Sequence, residues 1–310
     1  MSFPGFTGLH YPSRRTITLY DSGCNVSLQA ENFFLTIQGK KLELQRLTSD
    51  DRGKPTIVFL HEGLGSVSAW RDFPAQLAER TGCSAVVYSR YGYGNSEPLS
   101  EPRNSHYLHD EALHVLPELL TKLSIENPIL LGHSDGASIA LIYSGANGSG
   151  VSGAAANGAG TNGAGTKWRV RGLIVIAPHV FIEHESVTGV AATKVAFETT
   201  DFAEKLARHH RDTESAFLGW SNIVLNPDFH SWNIEEYVSR IACPVLAVQG
   251  VDDEYATFAH LDAISRLVPA PVERLHLSNC GHSPHREQPE ELLNAASAFI
   301  ATLPVPRAAS

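Results

Sequence analysis

Three residue types that together perform nucleophilic catalysis stand far apart in this chain, in the order Ser134, Asp253, His282. Ser134 is the middle of Gly132-His133-Ser134-Asp135-Gly136, directly after the apolar run Pro128-Ile129-Leu130-Leu131 and before Ala137-Ser138-Ile139-Ala140-Leu141-Ile142. That order reads as a buried strand, a sharp turn and a helix. Glycine on both sides suits a turn that holds the serine on a strained backbone with its hydroxyl exposed. A serine hydroxyl is a poor nucleophile until a base takes its proton, and that base needs a carboxylate to orient it and stabilise its charged form. His282 and Asp253 are the residue types for those two tasks. Acyl transfer also needs N–H donors aimed at the developing oxyanion. The N–H of Asp135 is one, and the turn Glu62-Gly63-Leu64-Gly65 is a natural source of another.

The elements that must position these groups follow from the apolar pattern. Strand-like runs fall at Phe33–Gln38, Leu42–Leu47, Thr56–Leu60, Ala85–Ser89, Ile129–Leu131, Leu173–Ile176, Val245–Val248 and Val272–Leu277. The first two flank Gly39-Lys40 and read as a hairpin. The later ones are short, continuous and rich in Val, Ile and Leu, as strands buried on both faces of a parallel sheet are. Helical patterns lie between them at Ala69–Arg80, Asp110–Leu123, Asp135–Tyr143, Phe258–Leu267 and Pro289–Leu303. The alternation predicts an α/β architecture with helices on both sides of the sheet. Two stretches break it. Residues 144–166 are almost all Gly, Ala, Ser, Asn and Thr, and read as a flexible surface loop. Residues 181–241 are helical in pattern with no strand of their own, through Thr188–Glu198, Asp201–Arg211, Thr213–Ile223 and Ile234–Ile241. Such an insertion suits a lid over the carboxyl edge of the sheet, leaving 1–180 and 242–310 as the core. Its aromatics Phe217, Trp220, Phe229, Trp232 and Tyr237 are expected mostly to form its own core.

Composition excludes several other classes. With 24 Lys and Arg against 33 Asp and Glu the chain carries a net charge of −9, which opposes binding to a phosphate backbone. The amino terminus has no basic region followed by a long apolar run, and no stretch approaches the roughly 20 apolar residues of a membrane span, so a cytoplasmic location is expected. Cys24, Cys83, Cys243 and Cys280 are widely spaced and read as reduced, mostly buried thiols. Neither His209-His210 nor His282-x-x-His285 has carboxylates at a familiar ligand spacing, so no metal and no cofactor are expected. The expected partner is a small molecule, bound by a monomer or homodimer.

Five strand-end motifs, HEGLGS, SRYGYG, GHSDGASIAL, GVDDEYAT and GHSPHREQPE, resemble those of α/β-hydrolase-fold enzymes, and of small bacterial hydrolases among them, over about Phe33 to Leu303. The resemblance implies a mostly parallel sheet with a helical lid insertion. It makes Ser134 the nucleophile, His282 the base and Asp253 the orienting acid, and it places the oxyanion donors at the N–H groups of Gly63 and Asp135. Asp252 and Glu254 compete with Asp253, but the spacing from Gly250 favours Asp253. His61 takes a structural place in the oxyanion turn, and His285 a surface or helix-start place. The chain departs from the pattern at Glu62, where relatives more often have glycine. That carboxylate joins a hydrogen-bond network, repels anionic substrates or acts as a second acid/base group. Asp135 stands where many relatives are apolar, and can serve as a first-turn helix acid. Ester hydrolysis of the carboxylesterase kind through an acyl-enzyme is the leading expectation, with lactones and thioesters open to the same chemistry. Carbon–carbon hydrolysis of a diketone-type ring-fission product and a binding-only role are the alternatives. Glu62, Tyr91, His133, His179 and Trp220 are the candidate substrate contacts, suggesting an apolar or aromatic group.

Overall fold

The computed structural model describes residues 15–17, 28–51, 53–148 and 169–304. Among them, nine strands form one sheet: β1 (Arg15–Ile17), β2 (Leu28–Ile37), β3 (Lys40–Ser49), β4 (Thr56–Leu60), β5 (Ser84–Ser89), β6 (Ile129–His133), β7 (Gly172–Ile176), β8 (Val245–Gly250) and β9 (Val272–Leu277). The order across the sheet is β1-β2-β3-β5-β4-β6-β7-β8-β9. β1, β2 and β3 pair antiparallel with their neighbours, and every pairing from β5 to β9 is parallel. The helices are α1 (Phe73–Thr81), α2 (Tyr107–Asp110), α3 (Leu116–Lys122), α4 (Asp135–Gly148), α5 (His184–Thr199), α6 (Phe202–Leu206), α7 (Thr213–Val224), α8 (Glu235–Val238), α9 (Ala259–Leu267), α10 (Pro284–Glu287) and α11 (Pro289–Thr302).

Successive residues of a strand point to opposite faces, so a continuous apolar run has two apolar faces and belongs in the middle of a sheet. Val58, Leu60, Leu130, Leu173 and Val175 join one buried cluster, while Ile57, Phe59, Leu131, Ile174 and Ile176 join the other. The parallel strands all end on the same edge, which is where β4, β6, β8 and β9 deliver the turns that carry the motifs. No helix among the described residues is long and apolar enough to cross a membrane.

Several boundaries differ from the pattern reading for local reasons. The hairpin turn is Gln38-Gly39, both at positive φ (48° and 74°), the geometry of a two-residue turn, and Lys40 already pairs with Ile37. β2 begins at Leu28, before the expected Phe33. The helix expected over Asp110–Leu123 divides into α2, a π-helical turn at Glu111–Val115, and α3. Pro117 has no N–H for the Leu113 carbonyl, and its ring crowds that carbonyl. The helix expected at Asp201–Arg211 stops at Leu206, because the chain turns so that the His210 ring accepts from Gly94 N–H and donates to Leu64 O. The expected loop from 144 begins late, since α4 continues to Gly148. A Cβ on Gly145 or Gly148 would lie 2.1 Å from the carbonyl oxygen of Tyr237 or Arg240, so those glycines serve close helix packing. Residues 149–166 of that expected loop, and Cys24, lie outside the described residues. Cys83, Cys243 and Cys280 are free and buried.

Candidate active site

Ser134 sits between β6 and α4 at a φ of 52°, a region that residues with a side chain rarely occupy. Its N–H donates to Ile176 O (2.9 Å), and its carbonyl accepts from Ala137 N–H (2.9 Å), which fixes the bend. The flanking glycines are required by close approach. A Cβ on Gly136 would lie 2.0 Å from Leu60 O, and one on Gly132 would lie 2.3 Å from Gly136 O. The strained backbone aims the Ser134 hydroxyl away from β6 and toward the turn after β9.

That turn carries His282, whose Nε2 lies 2.9 Å from Ser134 Oγ. Its Nδ1 lies 2.8 Å from Asp253 Oδ1, on the turn after β8. With the Nδ1 proton donated to the carboxylate, the Nε2 lone pair faces the serine hydroxyl. Asp253 Oδ1 also accepts from Tyr255 N–H (2.9 Å). Burial works against a charged His282, but the Asp253 carboxylate outweighs it and lifts the imidazole above its ordinary value. Burial likewise favours a neutral Asp253 carboxyl, and the facing His282 overcomes that and holds it below the usual range. Of the competing acids, Asp252 is exposed and Glu254 lies at the rim of the cavity, neither of them hydrogen-bonded to His282.

On the other side of the serine lies the turn after β4. His61 is fully buried, and burial holds its pKa well below the ordinary value, so the ring is neutral. Its Nε2 accepts from Arg90 N–H (3.0 Å), which leaves the proton on Nδ1 for Glu62 O (2.7 Å). The Glu62 carboxylate faces His133 Nδ1 (3.5 Å) and Arg286 Nη2 (3.4 Å). Burial alone would raise its pKa, yet His133 and Arg286 hold it well below the usual range. His133 Nε2 donates to His282 O (2.7 Å), so it steadies the backbone of His282. His285, expected at the surface or a helix start, is the second residue of α10 and is buried against Trp70 and His133, at ring distances of 4.8 Å and 5.0 Å. The apolar neighbours keep its pKa well below the ordinary value by burial.

Ser134 and His282 open on one shared cavity. Gly63, Asp135, Glu62, His133, His179 and Trp220 all line it, so the structure brings these sequence-selected residues together. Tyr91 does not belong to it. Its hydroxyl pairs with Ser100 (2.9 Å) and its ring lies beneath Lys40 Nζ (4.5 Å), in a separate hollow on the β3 side. Tyr93 is buried against the Arg90 and Arg103 guanidiniums, at 4.9 Å and 4.6 Å. The aromatics of 181–241 divide. Phe217 stacks on Phe197 (3.9 Å) inside that segment, whereas Trp220, Phe229 and Trp232 face the cavity together with Ile182 and Val190. Two residues that pattern reading missed also matter. Arg286 lies four residues after His282, within the same motif and in α10, while Arg90 sits in SRYGYG with no local signal of its contacts.

A profile of the alpha/beta hydrolase family matches residues 57–296. Proline iminopeptidase of Lactobacillus delbrueckii subsp. lactis is 28% identical over 98 residues, 32% of this chain and 33% of the iminopeptidase, so the likeness spans a third of that relative's length. The sn-1-specific diacylglycerol lipase ABHD11 of Mus musculus is 23% identical over 271 residues, 82% of this chain and 84% of the lipase. Among solved structures, VinJ superposes with a TM-score of 0.63 at 22% identity, covering 88% of this chain and 99% of VinJ. The profile match runs from β4 to α11 and takes in every strand-end turn described above, and on it the chain belongs to the alpha/beta hydrolase family.

Proposed function

We propose that this hydrolase cleaves a carboxylic ester, or a lactone or thioester by the same chemistry, through an acyl-enzyme on Ser134. The observation that carries the reading is the unbroken line Asp253–His282–Ser134, with links of 2.8 Å and 2.9 Å, opening on a largely apolar cavity. His282 takes the Ser134 proton as Oγ attacks the carbonyl, while Asp253 holds the ring and stabilises its charge. The N–H groups of Gly63 and Asp135 receive the oxyanion. His282 then returns the proton to the leaving alcohol and activates the water that releases the acid. The diacylglycerol lipase relative, an ester hydrolase by its description, favours esters over amides across most of the chain. The wall formed by Ile182, Val190, Trp220, Phe229 and Trp232 suits an apolar or aromatic acyl or alcohol group.

The test is hydrolysis of a p-nitrophenyl ester series by wild type and Ser134→Ala. Wild type is expected to turn over, with the variant reduced by about 10⁵–10⁶-fold. A gain with aromatic or longer acyl groups is expected from the cavity wall, and a flat preference refutes that part. An inactive wild type would overturn the ester reading and move attention to lactones and ring-fission diketones.

A further inference from the structure

Arg90 follows β5 directly and is 1% exposed, outside the cavity lining. Its contacts converge on the Glu62–Gly63 peptide and on the Asp135 carboxylate, on either side of Ser134. The backbone N–H donates to His61 Nε2 (3.0 Å), which sets the tautomer that sends His61 Nδ1–H to Glu62 O (2.7 Å). Its side-chain Nη2 donates to the same Glu62 O (2.9 Å) and to Asp135 Oδ2 (3.2 Å). Gly65 N–H adds a third donor to Glu62 O (3.1 Å), and Tyr107 OH a second to Asp135 Oδ2 (3.1 Å).

The direction of the Glu62 carbonyl decides the direction of the next N–H. The peptide is trans, so its C=O and N–H point opposite ways. With the Glu62 oxygen held toward Arg90 and His61, the Gly63 N–H is turned away from them, to the side on which Gly63 lines the cavity. A positive charge on the carbonyl side also polarises the peptide and strengthens its N–H as a donor. Asp135 is held by the same guanidinium nitrogen, and its own N–H, in the first turn of α4, has no helical carbonyl to bond.

We infer that Arg90 is the positioning residue of the oxyanion site, fixing the Glu62–Gly63 peptide and the first residue of α4 in one register through a single nitrogen. The inference rests on the acyl-transfer reading of Ser134. Its placement makes poor sense as core filling. Nε and Nη1 are buried without a hydrogen-bond partner, and a buried guanidinium with such gaps is costly where an apolar side chain of similar size would pack. The turn after β4 and the strained elbow after β6 come from separate strands, and the side chain of Arg90, just after β5, bonds to both.

The experiment compares wild type, Arg90→Lys and Arg90→Met, each checked for folding by circular dichroism and melting temperature. Two readouts are taken: kcat and KM on the best p-nitrophenyl ester, and the rate of covalent labelling of Ser134 by a fluorophosphonate, whose phosphonylation develops the same oxyanion. Arg90→Met is expected to lose about 10²-fold in kcat, the scale of a lost oxyanion donor, with KM within about threefold and labelling slowed in step. Arg90→Lys, with one ammonium in place of the fork, is expected to fall between them, and it carries the test alone if Arg90→Met does not fold. A folded Arg90→Met with unchanged kcat, a rise in KM alone, or Arg90→Lys at wild-type kcat overturns the inference. Wild type that takes up no probe at Ser134 overturns the nucleophile reading as well. Equal labelling of wild type and Arg90→Met overturns only the role of Arg90.

Discussion

On one side of Ser134 stand two side chains, His282 and Asp253, each on a turn after its own strand. On the other stand the two proposed oxyanion donors, the N–H groups of Gly63 and Asp135, whose preceding carbonyl in one case and side-chain carboxylate in the other are bonded to a buried arginine that does not reach the cavity. The first flank is a chain of single hydrogen bonds between ionisable groups, so its geometry and its reactivity rest on the same two contacts. The second has no ionisable group of its own in the reacting position. Its geometry rests on the packing of β4, β5 and β6 side by side. Damage should therefore read out differently: lost proton transfer and a displaced pH profile on one flank, lost transition-state stabilisation at constant KM on the other.

Breaking the proton-transfer flank should cost most. His282→Ala is expected to lower kcat by about 10⁵–10⁶-fold. Asp253→Asn, which keeps the shape but gives Nδ1 the wrong partner, should lower it by about 10³–10⁴-fold. Circular dichroism and melting curves on both variants would separate these losses from unfolding. If His285→Ala removed activity while His282→Ala did not, the base would be misassigned.

The donor flank should break at Gly63. A Cβ there would lie 2.1 Å from Trp220 Nε1, so Gly63→Ala must displace either the indole or the turn. A loss of about 10²-fold in kcat is expected if the turn moves. The Gly63→Ala/Trp220→Ala double variant removes the collision, and should regain part of that loss even though Trp220→Ala alone opens the cavity wall. Activities that simply multiply would show the two residues to be uncoupled and the clash irrelevant.

The same contrast explains what the sequence disclosed. Ser134, Asp253 and His282 are legible because glycine punctuation and reactive side-chain types are local properties of a strand end. Gly63 is legible for the same reason. Arg90 is not, because its meaning depends on strand order: β5 lies beside β4, so residue 90 comes to rest beside residue 61, and nothing within SRYGYG states that. Tyr91 shows the cost of reading types without direction, since an aromatic one residue past Arg90 points into a different hollow. Of the two places expected for His285, the helix start holds and the surface does not, since Trp70, Phe73 and His133 close over it. The helical pattern of 181–241 was readable, but which of its aromatics face inward depends on how α7 meets the turn after β4.

Glu62 is where the two flanks meet, and it sets the finest test of their separation. Its carbonyl belongs to the donor flank, while its carboxylate is one of the charges that favour protonated His282. On the acyl-transfer reading His282 must be neutral to accept the serine proton, so a raised imidazole value means kcat/KM is still climbing with pH above the ordinary histidine range and falls as acid protonates the ring. Asp253 is the main attractive charge, so Asp253→Asn should move that acid limb to lower pH along with its large loss in rate. Glu62→Gln should move the limb in the same direction by less, because Glu62 ranks behind Asp253 and Glu254 among those charges, and should leave the plateau kcat near wild type. A pH–rate profile on a neutral ester reads both quantities at once. An unmoved limb with a lowered plateau would mean that Glu62 acts through the Gly63 turn, and that the donor flank alone owns it.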